Sequence, residues 1–254
     1  MNEKEITLSI KEKLSQIEAR ENIRIIYACE SGSRAWGFAS ADSDYDVRFI
    51  FVRPVQDYLR VKELPDFIDA ELNDVYDING WDLKKYFKQL YKSNPVIFEW
   101  AGSPIVYRNT LEWEKVSEVM KDFIQDEKML HHYKGMAKNN VRTNFCTSEV
   151  VLKKYLYVLR PVLTCVWIMQ KHSVPPTEFM SLVEEVLPSE LRCIVDELLT
   201  AKMNGSEKQT GSRISELDLF IETKLSEASM FAEVNTTKLD LDKLDNLFLE
   251  IIEE

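Results

Sequence analysis

The chain of 254 residues carries 43 acidic and 32 basic side chains, a net charge of −11, with 45% hydrophobic residues. That length and apolar content suit one large domain or two ordinary ones, and the acidity argues against a broad, sequence-independent grip on duplex DNA. The most apolar long stretch, residues 155–169, is interrupted by Arg160 and Pro161 and is too short to cross a bilayer, so no membrane partner is expected.

In chain order, residues 3–20 place Ile6, Leu8, Ile10, Leu14 and Ile17 at spacings closer to a helix than a strand. The β-branched run IRIIYAC (23–29) predicts a strand, Gly32-Ser33 a turn or helix entry, and DVRFIFV (46–52) a second strand stopped by Arg53-Pro54. DVYDI (74–78) reads as a third strand closed by Asn79-Gly80, and residues 81–93 as an amphipathic helix with Leu83, Phe87, Leu90 and Tyr91 on one face. Residues 94–107 hold short apolar pieces punctuated by Pro95, Gly102 and Pro104. Beyond that, helical periodicity takes over at 110–140, 148–171, 176–187, 189–203, 212–232 and 240–253, with a polar gap at 203–213 expected to be a mobile loop. The change near residue 110 predicts a mixed front domain, 1–110, followed by an all-helical domain, 111–254.

Charge is unevenly spread. From Glu178 onward 18 acids face 7 bases, whereas residues 1–177 hold 25 of each. Within the neutral part, residues 131–160 carry six Lys/Arg against Glu149 alone, a local basic stripe suited to a focused anion site. The four cysteines, Cys29, Cys146, Cys165 and Cys193, are widely spaced with no C-x-x-C pair. They read as buried thiols of a reducing cytoplasm, forming neither a disulfide framework nor a zinc site. The opening MNEKEITLSI shows no basic-then-apolar secretory leader, which agrees with a cytoplasmic expectation.

The chemistry concentrates in ESGSRAWGFASADSDYDVRFIFV (30–52). On a strand, positions i, i+2 and i+4 share a face, so Asp44, Asp46 and Arg48 are expected to project together. Two adjacent carboxylates aimed at one point need a compensating cation or a shared proton. A pair of Mg2+ ions ~4 Å apart, or Mn2+ in their place, meets that need during in-line attack on a nucleotide phosphate. A third carboxylate from a neighbouring strand would complete the set; Asp77 fits best, with Asp74 and Asp82 as fallbacks. Gly32 permits close backbone approach to phosphate oxygens, Ser33 adds a hydroxyl donor, and a helix starting there would favour the same anion. Ser43 offers another hydroxyl beside the metals. Lys153, Tyr157 and Arg160, at i, i+4 and i+7, are expected to share one face of the 148–171 helix, neutralising a triphosphate and stacking its base.

The order Gly32-Ser33, then Ser43-Asp44-Tyr45-Asp46-Val47, resembles the signature of the DNA polymerase β-like nucleotidyltransferase superfamily. Longer stretches, DINGWDLKKYF, KSNPVIFEWAGSPIVY, HHYKGMAKNN and KKYLYVLRPVLTCVWI, resemble its RlaP/YcgL-like, RNA-ligase-associated branch over most of residues 23–187. The acidic part from about residue 188 lies outside the resemblance. What it implies is an α+β fold, a small mixed-sheet nucleotidyltransferase core with flanking helices followed by a helical domain. It also implies transfer of a nucleoside monophosphate from an NTP with release of pyrophosphate. By residue, it implies that Gly32 and Ser33 form the phosphate-binding turn, Asp44 and Asp46 the paired metal ligands, and Asp77 the third acid. The acceptor does not carry over. An RNA end, in repair, is the leading expectation; a protein or small-molecule hydroxyl is the alternative, and nucleotide sensing without turnover a third reading.

Overall fold

The computed structural model describes residues 3–204, 209–231 and 239–253. The chain divides into two compact units, each discontinuous in sequence: 1–35, 44–123 and 238–254 in the first, 36–43 and 124–237 in the second.

The first unit begins with α1 (Glu3–Glu21), whose Ile10, Leu14 and Ile17 are buried, followed by β1 (Arg24–Glu30). A single turn, α2 (Gly32–Ala35), leads on to β2 (Tyr45–Val52) and the short α3 (Val55–Tyr58). Next come β3 (Phe67–Leu72), β4 (Tyr76–Asp82), α4 (Leu83–Tyr91), α5 (Pro95–Ala101), β5 (Val106–Asn109) and α6 (Leu111–Met120). The five strands form one mixed sheet ordered β3-β4-β2-β1-β5. Only β2 and β4 run parallel; the other pairings are antiparallel. Alternation along β2 sends Val47, Phe49 and Phe51 into a core shared with α1, Ile25, Ala28 and Ile78. The opposite parity leaves Asp46 and Arg48 together on the other face. Gly80 of β4 lies against Phe49, where a Cβ would overlap the aromatic ring. Asp82 ends β4 and caps α4, accepting the Lys84 N–H at 2.8 Å.

Residues 67–72, which carry no strand expectation, form the edge strand β3. Residues 94–107 resolve into α5, capped by Asn94 with Pro95 in its first turn, and the start of β5.

The second unit holds α7 (Asp126–Asn144), β6 (Glu149–Val151), α8 (Lys154–Lys171), α9 (Phe179–Val186), α10 (Arg192–Met203), β7 (Thr210–Ser212) and α11 (Ser215–Met230). Its core is built on α8, where Leu156, Leu159, Val162, Leu163 and Val166 are buried with Phe179, Leu182 and Phe38. Pro161 lies inside α8 and cannot donate to the Tyr157 carbonyl one turn back. The Asn140 side-chain amide donates to that carbonyl at 2.9 Å, so the helix continues without an orphaned acceptor.

Three differences from the sequence expectation have clear causes. The long periodic stretch 110–140 is two helices, α6 and α7, separated by a 3₁₀ turn at Lys121–Phe123. Of the expected mobile loop, 203–204 close α10 and Thr210–Ser212 pair with Glu149–Val151 as a two-stranded ribbon; residues 205–208 lie outside the described residues. The last helix, α12 (Leu241–Glu253), belongs with the first unit, not with a contiguous helical domain. Its Leu244, Leu247 and Ile251 are buried, Phe248 meets Tyr58 edge-on at 5.1 Å, and Arg24 donates to the Ile251 carbonyl at 2.9 Å. The helix α6 likewise joins the first unit, where Trp113 stacks on Tyr27 with ring centroids 4.0 Å apart. Of the four cysteines expected to be buried, Cys29 and Cys165 are, whereas Cys146 and Cys193 are exposed. Among the described residues, no helix is long and apolar enough to cross a membrane.

Candidate active site

The parallel pairing of β2 with β4 puts Asp46 opposite Asp77, and Tyr45 opposite Tyr76. Residues in register on adjacent strands share a face, so the two carboxylates stand side by side. The Arg48 guanidinium, two residues further along β2, reaches both, its Nη2 lying 3.2 Å from Asp46 Oδ1 and 2.7 Å from Asp77 Oδ2. It also donates to the Asp77 carbonyl at 2.8 Å. The three side chains are 21, 31 and 17% exposed, enough shelter for charge pairing to matter while leaving the carboxylates accessible. Burial raises the Asp46 carboxyl above its ordinary range; Arg48 opposes that shift, and the nearby charges of Asp44 and Asp77 add to it.

Gly32 closes on the same carboxylate. Its φ of +61° lies in the left-handed region, and a Cβ there would stand 2.9 Å from Asp46 Cγ and closer still to Oδ2. The turn and the acid therefore pack directly together, with the Ser31 N–H donating to the Asp46 carbonyl at 2.8 Å. Ser33 is buried beside it. The helical segment α2 is one turn long, so the backbone N–H groups of the turn, rather than a helix macrodipole, are the anion donors it offers. Asp44 precedes β2 and is exposed, its carbonyl accepting from Arg34 Nε at 3.0 Å. The Arg34 guanidinium lies 3.7 Å from the Tyr45 ring centre, tying the approach to β2 back to the glycine turn.

Sequence reasoning missed Glu30. This last residue of β1 is fully buried, accepts the Asp46 N–H at 2.7 Å through one oxygen, and takes the Tyr107 hydroxyl on the other. Burial, with some help from the Asp46 charge, pushes its carboxyl up to about 7 against the lowering effect of its two hydrogen bonds. The only sequence signal was an acid closing an apolar run. Asp74 is exposed between β3 and β4, and Asp82 is committed to the α4 cap and the Tyr58 hydroxyl, at the opposite end of β4 from Asp77.

The remaining predicted site residues belong to the second unit. The Ser43 hydroxyl accepts the Ser40 N–H at 3.0 Å and meets the Ser40 hydroxyl at 3.1 Å. Lys153 precedes α8 instead of lying within it. Tyr157 is partly buried, edge-on to Trp36 and Phe38 at 6.1 and 5.8 Å. Arg160 is buried, its guanidinium 4.3 Å from the Trp36 ring centre. An arginine so enclosed contributes packing as well as charge.

Among the described residues, no three acid, histidine or cysteine side chains converge into a ready-made metal cage. The donor chemistry still fits a hard divalent cation. Asp46 and Asp77 present carboxylate oxygens from registered strands, Asp44 stands near Asp46, and the first two already share one cationic group.

The profile described as RlaP: RNA repair pathway DNA polymerase beta family matches residues 6–250, and the chain belongs to that family of polymerase β-like nucleotidyltransferases. It is also 39% identical over 249 residues to the uncharacterized protein YcgL of Bacillus subtilis (strain 168), covering 96% of each chain. The match runs to residue 250, so the acidic C-terminal part that lay outside the sequence resemblance, including most of α12, is within the family.

Proposed function

We propose that this protein is a divalent-metal-dependent nucleotidyltransferase that transfers a nucleoside monophosphate from an NTP to an RNA end and releases pyrophosphate. The observation that carries the reading is the direct packing of the Gly32 turn on Asp46, itself in register with Asp77. It sets a phosphate-accepting backbone against the carboxylates that an acceptor hydroxyl must approach.

In this reading Gly32 and its neighbouring N–H groups, with the Ser33 hydroxyl, hold the phosphates. Asp44, Asp46 and Asp77 would hold Mg2+, or Mn2+ in its place, which supplies charge neutralisation to the triphosphate when bound. Asp77 raises the nucleophilicity of the acceptor hydroxyl by accepting its proton. The hydroxyl oxygen then bonds to the α-phosphorus, and the bond from that phosphorus to the pyrophosphate oxygen breaks. Arg48 keeps the Asp46 and Asp77 carboxylates apart in charge and fixed in direction. Glu30 positions Asp46 by holding its backbone N–H.

The RNA acceptor rests on the family's RNA-repair description and on the basic stripe at 131–160. The net charge of −11 favours the second reading, in which a protein or small-molecule hydroxyl accepts the nucleotide. Incubation with each α-labelled NTP and Mg2+, with and without bulk tRNA, tests the acceptor. Label in RNA is the expected result. Label in protein or in a small molecule moves the acceptor to the second reading, and no label at all leaves a nucleotide-binding protein without turnover.

A further inference from the structure

The far end of the same sheet carries a second concentration of charge. Arg53 follows β2 immediately, seven residues beyond Asp46, or roughly 20 Å along an extended strand. It opens into a cavity of about 250 Å3 between the α3 region and the first turns of α4. Five cationic and four acidic side chains line this cavity, but most of the acids are already engaged. Asp57 pairs with Arg60 at 2.8 Å and Asp66 with Lys85 at 3.1 Å. Asp82 accepts the Lys84 N–H at 2.8 Å and the Tyr58 hydroxyl at 3.0 Å. It stands 3.9 Å from Arg53 Nε, beyond hydrogen-bond length.

Two cations, Lys84 and Lys88, have no ion pair among the described residues, and Arg53 has only the long one to Asp82. The Arg53 side chain is 10% exposed; its Nη2 donates to the Pro65 carbonyl at 3.2 Å, while its buried Nε has no hydrogen-bond partner among the described residues. Lys84 and Lys88 are exposed on one face of α4, one turn or ~6 Å apart, and neither ammonium forms an ion pair among the described residues. Against them stands Glu63, exposed at the rim. A sheltered guanidinium with an unsatisfied donor, lining the same cavity as two unpaired lysines, calls for a ligand with several anionic oxygens on adjoining centres. Phosphoryl groups meet that requirement better than a single carboxylate, because they accept the Arg donor and both lysines at once.

We propose that this cavity is a phosphate-binding site separate from the Asp46–Asp77 pair, taking two adjoining phosphoryl groups. Those groups come from an RNA strand or from free pyrophosphate. The site goes beyond the nucleotidyl-transfer reading and does not depend on it, since it needs neither a metal nor an NTP.

The test is calorimetric titration of the full chain, without divalent metal or NTP, with pyrophosphate in one arm and a single-stranded oligoribonucleotide in the other. The comparison is the Lys84→Gln/Lys88→Gln double variant, whose fold is checked by circular dichroism; both positions are exposed, so the fold is retained. Wild type binds at least one of the two ligands, and the double variant binds it at least tenfold more weakly. If the ligand is the strand, the plot of log affinity against log salt also becomes shallower, by about 0.7 for each phosphate that the variant no longer neutralises. Which arm responds identifies the source of the phosphates. Failure of wild type to bind either ligand, or equal binding by wild type and the double variant, overturns the proposal.

Discussion

Replacing Gly32 by alanine separates the two roles that the structure gives this residue. The φ of +61° is one that L-residues adopt at a cost of about 1–2 kcal/mol. For a protein of this size that lowers the melting temperature by roughly 2–8 °C. The added Cβ also meets Asp46, whose Cγ would lie 2.9 Å away where 3.4 Å is the inner edge of ordinary contact. The carboxylate must therefore move by at least 3.4 − 2.9 = 0.5 Å, and by more at Oδ2. Misplacing a reacting group by about 1 Å costs on the order of 100-fold in rate. Gly37 is the matched control, with φ of +83° and nothing within 4 Å of its would-be Cβ. Gly37→Ala should show the thermal penalty with nucleotidyl transfer within a few-fold of wild type. Gly32→Ala should show at least that penalty, since Asp46 must also be displaced, and lose transfer by roughly 100-fold or more. Both are read by differential scanning calorimetry and by incorporation of label from an α-labelled NTP. Equal transfer by the two variants would refute the claim that Gly32 works by admitting Asp46.

Ser33→Ala removes one donor among several N–H groups and should weaken NTP binding by about 1–3 kcal/mol while slowing turnover less; an unchanged Michaelis constant for NTP would count against the cradle. Arg160→Ala empties a buried site beneath Trp36, so it should cost about 2–4 kcal/mol in denaturant unfolding, where an exposed stripe residue would cost almost nothing. Burial raises the Asp82 carboxyl, so the native state keeps its proton to higher pH than the unfolded chain does, and this group's stabilisation is lost as pH rises through its folded pKa. Asp82→Asn keeps a capping side chain and should make unfolding free energy fall less steeply than wild type on the acid side of neutrality; parallel pH profiles would contradict this.

The strands that position the site were readable because their sequences are locally consistent. The runs IRIIYAC and DVRFIFV are β-branched and bounded by breakers, and parity alone placed Arg48 on the Asp46 face. DVYDI located the third strand but not its ends, because β4 starts at Tyr76 and carries Asn79-Gly80 inside the sheet instead of being closed by them. The edge strand β3 was not readable, since Asp69 and Glu71 dilute its apolar content and Phe67 and Leu72 are exposed. The break between α6 and α7 was hidden because Phe123 continues the apolar rhythm through the 3₁₀ turn. Periodicity could not assign α6 and α12 to the first unit, because it names a buried face but not what covers it. The same limit applies to single residues. Arg160 read as part of an anion-binding helix face because its ring partner, Trp36, is 124 positions away; Glu30 gained meaning only once the fold brought Tyr107 and the Asp46 N–H to it.

The central claim is that the Asp46–Asp77 pair supports nucleotidyl transfer beside the Gly32 turn. Its most direct test follows an α-labelled and a γ-labelled NTP in Mg2+ with bulk tRNA, comparing wild type with Asp46→Asn, whose circular dichroism should match wild type. Wild type should retain the α label on the acceptor and release the γ label as pyrophosphate, while Asp46→Asn should do neither and EDTA should abolish the wild-type reaction. Normal transfer by Asp46→Asn, or γ label appearing on the acceptor, would contradict the account.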